Sequence, residues 1–235
     1  MFQLTPEHLM LRDTVRGYAR VEILPRVAER DRSGTFPDEE IRAAAETWLM
    51  GLTVPEEYGG YELDAVTTAM VYEEVSRASA AVSVILSVHN SLVAGGTNLF
   101  GSEATRERYL PLLASGDLLG AYCLTESEAG SDAGSIAARA VLDGDHYRLT
   151  GRKLFVTSGA HAGVYVVFAV TNPGASKSRH MSAFLVDRDT NGLSVSPKED
   201  KLGLLASEIN EVVFEECAVP TGNLLGEAGG GFASR

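Results

Sequence analysis

Near residue 117 the hydrophobic period of this chain changes from that of a helix to that of a strand, and no other feature constrains the fold as much. Upstream, apolar residues recur every three to four positions, the spacing of a helix with one buried face. Thr5 and Pro6 have the chemistry of a helix start, and Leu11, Val15, Tyr18 and Ala19 then share a face. Pro37 opens a second helix, with Ile41, Ala44, Ala45 and Trp48 inward and Gly51 placed to end it. A third runs from Asp64 through "AVTTAMVYEEVSRAS", with Glu73–Glu74 read as a solvated face. "AAVSVILSVHNSLVAGGTNLFG" reads as a buried helix whose small residues allow close packing, and "SEATRERYLPLLASGD" as a last helix, capped by Ser102 and stopped near Gly116.

After residue 117 the period is two. "LGAYCLT", "AARAVLDGDHYRLTG", "KLFVTS", "VYVVFAV", "MSAFLVD", "GLSVSP" and "INEVVFEE" are short runs rich in β-branched and aromatic residues, separated by Gly, Asp and Asn. "LDGDHY" is a hairpin signal. The expectation is an α+β, multidomain chain: an all-helical N-terminal domain over 1–117, then a small β-barrel or sandwich over 118–222, with no flexible linker between them. The glycine-rich end, 223–235, reads as the opening of a further element of a longer protein, and the terminal Arg235 fits cleavage by a trypsin-like protease.

Composition narrows the function classes. With 235 residues, 45% hydrophobic and 22% charged, the chain can bury a large core. A net charge of −12 argues against general attraction to nucleic acid or anionic lipid, so an anionic ligand needs a local site. Cys123 and Cys217 match no metal or redox spacing and read as small core residues in a reducing compartment. The five histidines form no metal-binding pattern. "MFQLTPEH" is not a signal peptide, and the runs "AAVSVILSV" and "GVYVVFAV" are too short to span a bilayer, so a cytoplasmic location is expected.

The stretch "AYCLTESEAGSD", residues 121–132, concentrates chemistry and admits three readings. Glu126, Glu128 and Asp132 could be acid–base carboxylates, but they lie in a polar loop where solvation keeps a carboxylate ordinary. Gly130 and Ser131 could present an amide and a hydroxyl to an anion, yet no P-loop lysine and no dinucleotide fingerprint accompanies them. The strand end Tyr122–Thr125 could instead form a ligand wall. Phe155 and Thr157 in "KLFVTSG" repeat its aromatic–apolar–Thr pattern, which suits a flat heteroaromatic ring but is common in ordinary strands.

"YCLTESEAGSDAGS" resembles the signature of the acyl-CoA dehydrogenases. "VPEEYGG", "FGSEATRERYLPLLASGDLLGAY", "LTGRKLFVTSG", "DKLGLLASEINEVVFEECAVP" and "NLLGEAGGGF" resemble further blocks of that family, in family order across essentially the whole chain. "EEVSRASAAVSVILSVHNSL" looks most like short-chain members. The resemblance implies FAD, α,β-dehydrogenation of a short-chain fatty acyl-CoA thioester, electron transfer to an electron-transferring flavoprotein, and a homotetramer at full length. It implies a flavin wall of Tyr122, Cys123, Leu124, Thr125, Gly130 and Ser131, with Phe155, Val156 and Thr157 as its second stretch. Ser131 would also touch the thioester ligand, and Ser178 and Arg179 the CoA portion.

Phe155 stands where the family usually has Trp, and Ser158 where Asn is common. The family's C-terminal helical bundle, which supplies the catalytic base, is absent from these residues, so no catalytic residue is expected within them. An exposed apolar docking face, and with it self-association, is expected in its place. Two alternatives share the resemblance: a flavin monooxygenase or oxidase of the same architecture, and a truncated, non-catalytic partner subunit.

Overall fold

In the computed structural model, residues 4–231 are described. The readings attached to Met1–Gln3, Phe232 and Arg235 lie outside them. The first helical rod joins α1 (Pro6–Tyr18) to α2 (Leu24–Ser33) through one wide π turn at Ala19–Ile23. Thr5 caps α1 by accepting the His8 N–H, and the His8 ring accepts the Thr5 N–H in return. α3 (Asp38–Ala45) is shorter than its apolar pattern predicts, and Trp48 falls in the turn after it. The cause lies across the fold: the Leu49 and Met50 carbonyls bond to side chains of a distant helix instead of continuing their own. α4 (Ala65–Ala78) comes next, capped by Asp64.

Glu74 corrects the expectation of a solvated Glu73–Glu74 face. Its side chain is 2% exposed and takes two charge-assisted bonds from Arg16, at 2.8 and 2.7 Å, because α1 packs across that face of α4. Glu73 does stay exposed, paired with Arg77.

α5 (Ala80–Ser87), a π segment (Val88–Ala94) and α6 (Gly95–Phe100) form one continuous 21-residue run. By length and composition it could cross a membrane, which corrects the expectation that this apolar stretch is too short. More than half of it is buried within the protein, where Ile85, Leu86, Val93 and Ala94 are core residues. The extra residue of a π turn re-aims side chains, and here it turns His89 and Asn90 inward. Asn90 accepts from Leu52 N–H and donates to the Leu49 and Leu86 carbonyls. α7 (Glu103–Ser115) is capped by Ser102 and ends at Gly116 in the left-handed region.

The strands are β1 (Gly120–Cys123), β2 (Arg139–Asp143), β3 (His146–Thr157), β4 (Val164–Val170), β5 (Met181–Asp187), β6 (Leu193–Val195), β7 (Ile209–Pro220) and β8 (Leu224–Leu225). β6, β7, β3 and β2 form one antiparallel layer; β1, β4, β5 and β8 form the other, with β1 parallel to β4. One parallel pairing, Arg139 with Val170, joins the layers into a small open barrel. β2 turns into β3 over Gly144–Asp145, as "LDGDHY" indicates. The runs "RLTG" and "KLFVTS" prove to be one strand, β3, bent at two bulges.

β4 explains why "VYVVFAV" has no polar alternation. Tyr165, Val167 and Ala169 face the barrel interior, whereas Val164, Val166 and Phe168 pack against Tyr109, Leu110 and Leu113 of α7. Burying both faces makes such a strand uniformly apolar. The helical layer therefore sits directly on the barrel, and the site lies at the barrel end where β1 stops.

Candidate functional site

Beyond Cys123, β1 leaves the sheet, and its continuation meets the second bulge of β3. Leu154 N–H donates to the Thr125 carbonyl at 2.8 Å. Lys153 Nζ donates to the Leu124 carbonyl at 3.0 Å and to Glu126 Oε1 at 2.6 Å. The two segments that share an aromatic–apolar–Thr pattern are thus bonded to each other. The bulge holds Phe155 at φ +56°, and the residue is 63% exposed. A bulky side chain in the left-handed region costs about 1–2 kcal/mol, so the surrounding bonds are over-determining this conformation. Ser158, also left-handed at φ +59°, turns the chain immediately afterwards. That geometry is one Asn tolerates well.

The wall that results has a definite chemistry. Thr125 and Thr157 are half-buried, and the Thr125 amide and both hydroxyls take no partner among the described residues. Phe155 adds an exposed aromatic face. Cys123 and Val156 are fully buried in the barrel core, so they can offer a ligand only their backbone. Burial raises the Cys123 thiol to about 12, which leaves it inert. Tyr122 is half-buried with its ring 5.2 Å from Phe168, and Leu124 packs beside it.

The loop acids are mainly structural. Glu126 is paired with Lys153, and its other oxygen accepts from Ala137 N–H at 2.6 Å. Asp132 accepts from Lys177 and from Ser135, each at 2.6 Å, and these bonds hold its carboxyl below the usual range. Glu128, Gly130 and Ser131 are exposed.

Ser178 and Arg179 lie on the loop between β4 and β5, exposed, and the Arg179 guanidinium has no partner among the described residues. Lys177 also reaches Ser135 at 2.7 Å. Through Asp132 and Ser135 it clamps this loop to the one carrying Ser131, so the residues assigned to substrate sit on two joined loops. A cleft of 390 Å³ between them is lined by Arg139, Lys177 and His180, and of these Lys177 is paired with Asp132. The terminal glycines complete this edge. Gly229 (φ +82°) lies so close to Arg179 that a Cβ would stand 2.6 Å from its carbonyl oxygen, and Gly231 N–H donates to the Met181 carbonyl.

Sequence reasoning missed Lys153, although its parity held a signal. Tyr147, Leu149 and Lys153 share the inward phase of β3, and a lysine on a core face needs a buried partner. Among the described residues no cluster of His, Cys, Asp and Glu could hold a metal ion.

Comparisons with known proteins agree with this fold. Residues 5–117 match the acyl-CoA dehydrogenase N-terminal domain, and 121–217 its middle domain. An acyl-CoA dehydrogenase of Bacillus subtilis is 44% identical over 230 residues, covering 97% of this chain and 60% of the relative. Butyryl-CoA dehydrogenase from Megasphaera elsdenii superposes with a TM-score of 0.95 at 34% identity, covering 100% of this chain and 62% of that one. An acyl-CoA dehydrogenase complexed with FAD, from Bacillus anthracis, gives 0.90 at 36% identity, covering 99% and 39%. The chain thus spans about 60% of the length of the relatives in the first two comparisons. An exposed aromatic face beside unpaired donors fits a flavin ring, and with both domain matches in chain order this chain belongs to the acyl-CoA dehydrogenase family.

Proposed function

We propose that this chain forms the flavin wall and part of the thioester and CoA site of an FAD-dependent dehydrogenase for short-chain acyl-CoA. In this reading an electron-transferring flavoprotein takes up the electrons, and the full-length protein is a cytoplasmic homotetramer. The observation that carries it is the bonding of the two strand ends, Thr125 to Leu154, which sets Phe155 beside unpaired donors. Bound FAD would supply the capacity to accept two electrons from the acyl chain. The Thr125 amide and hydroxyl and the Thr157 hydroxyl orient the ring edge, and Phe155 excludes water from its face. Gly130 and Ser131 contribute amide and hydroxyl donors at the thioester. Arg179 meets CoA phosphate as a delocalised cation, with Ser178 beside it.

The proton-accepting base is assigned to chain beyond residue 235. The two best-placed carboxylates within it, Glu126 and Asp132, are committed to lysine partners. A base needs a free lone pair within reach of the α carbon.

The test is the visible absorption spectrum of the purified 235-residue chain, before and after anaerobic butyryl-CoA. Flavin bands that persist support a cofactor wall here with the base elsewhere, and bleaching would overturn the assignment of the base. Absence of flavin from the product of the full reading frame would overturn the function. Reduction followed by rapid reoxidation in air would move the assignment to an oxidase of the same fold.

A further inference from the structure

We infer that Lys153 and Glu126 form a positioning pair that fixes three ligand-facing segments relative to one another: Leu124–Glu126, Leu154–Thr157 and the loop carrying Gly130–Ser131. The inference rests on the flavin reading above and adds to it the part that keeps the wall in register. Lys153 is fully buried, and Glu126 is 10% exposed at its side chain. Nζ brackets Thr125: it holds the carbonyl before it, at 3.0 Å, and the carboxylate after it, at 2.6 Å. The next residue, Leu154, binds Thr125's own carbonyl. Phe155 comes directly after. A displacement of Lys153 therefore moves Thr125 and Phe155 together. Glu126 closes the far side, accepting from Ala137 N–H at 2.6 Å and Ala138 N–H at 3.1 Å. It also pairs through its backbone with Ala129 in both directions, at 3.1 Å. These bonds define the loop between Glu126 and Ala137, on which Gly130 and Ser131 sit.

Stability alone does not account for this pair. Desolvating two charges is costly, and buried ion pairs are often replaced by apolar side chains with no loss of stability. A Leu–Leu contact would fill the same space at the barrel end. It could not hold the Leu124 carbonyl or the two backbone amides, whose bonds set where the strand end stops. Buried hydrogen-bond networks specify geometry, and here both Glu126 oxygens and two of the three Lys153 N–H donors are engaged.

The experiment uses protein expressed from its full reading frame. Three readouts are compared: the thermal midpoint, the dissociation constant for FAD, and the shape of the bound flavin's visible band. The variants are Lys153→Met, Glu126→Gln, the double variant, and Glu126→Asp. The single neutral variants should lose thermal midpoint, since each leaves one partner buried without its counter-charge. The double variant should recover most of the midpoint while FAD binding stays at least tenfold weaker, with an altered band shape. Glu126→Asp keeps the charge but shortens the reach by one methylene. It should fold with a midpoint near wild type and still bind FAD at least tenfold more weakly. Wild-type affinity and band shape in Glu126→Asp, or their return in the double variant along with its midpoint, would show the pair to be structural only. Wild-type protein without flavin would remove the flavin reading and this inference together. A flavin-bearing wild type with unaffected variants would remove this inference alone.

Discussion

His89 gives a pH dependence of stability that can be worked from three bonds. Gly120 N–H can only donate, so His89 Nδ1, 3.1 Å away, accepts. The ring proton is then on Nε2, shared between the Leu113 carbonyl at 3.0 Å and the Met50 carbonyl at 3.1 Å. A second proton would have to enter at Nδ1, against the Gly120 N–H. The ring is wholly buried, and burial lowers its pKa from 6.5 to about 4, although the two carbonyls oppose the shift. This makes the charged form about 3 kcal/mol less favourable in the folded chain than in the unfolded one.

Well above pH 6.5 the imidazole is neutral in both states and contributes no slope. Between 6.5 and 4 the unfolded chain takes up the proton and the folded chain does not, so stability falls as pH falls, by up to about 1.4 kcal/mol per pH unit. Below pH 4 the loss levels off. The assay is urea unfolding of wild type and His89→Asn at half-unit intervals from pH 4 to 7.5. Asn keeps an acceptor near Nδ1 and cannot titrate. Carboxylates titrate in both proteins and cancel in the difference. The wild type should show the extra slope. Equal slopes would refute the argument, as would a histidine pKa near 6.5 measured at His89 by NMR.

Other outcomes rest on single contacts. In Gly60→Ala the new Cβ would stand 2.1 Å from the Val54 carbonyl oxygen, so the thermal midpoint should drop by the equivalent of more than about 3 kcal/mol of overpacking. Phe155→Gly should relieve left-handed strain and raise stability by up to about 1 kcal/mol, while FAD affinity falls; a loss of both would mean that the ring is a packing residue. Arg16→Ala should lower the urea midpoint more than Arg77→Ala, because only Arg16 holds both Glu74 oxygens; equal effects would refute the pairing. Arg179→Gln should weaken acyl-CoA binding, most at low salt, and leave FAD binding unchanged; a salt-independent loss would place Arg179 outside the phosphate site.

The helices and strands were legible because both periods are strong and their punctuation is chemical. Thr5, Asp64 and Ser102 cap the helices that their types predict, and Gly144 turns its hairpin. The wall segments were legible as residue types at strand ends. Their adjacency was not, since Thr125 and Leu154 are joined by a backbone bond that no side chain announces. Nor was the burial of Glu74, which depends on α1 crossing α4 and so on a contact 58 residues away in the chain. The two π turns escaped notice because an inserted residue leaves an apolar pattern nearly intact while rotating every later side chain of the helix. By itself, then, the sequence determined the order of a helical layer and a β layer and the family, because these come from local periodicity and motif. Only the tertiary structure decided which charges are buried and which strand ends meet, because a carboxylate's environment is set by the element packed over it.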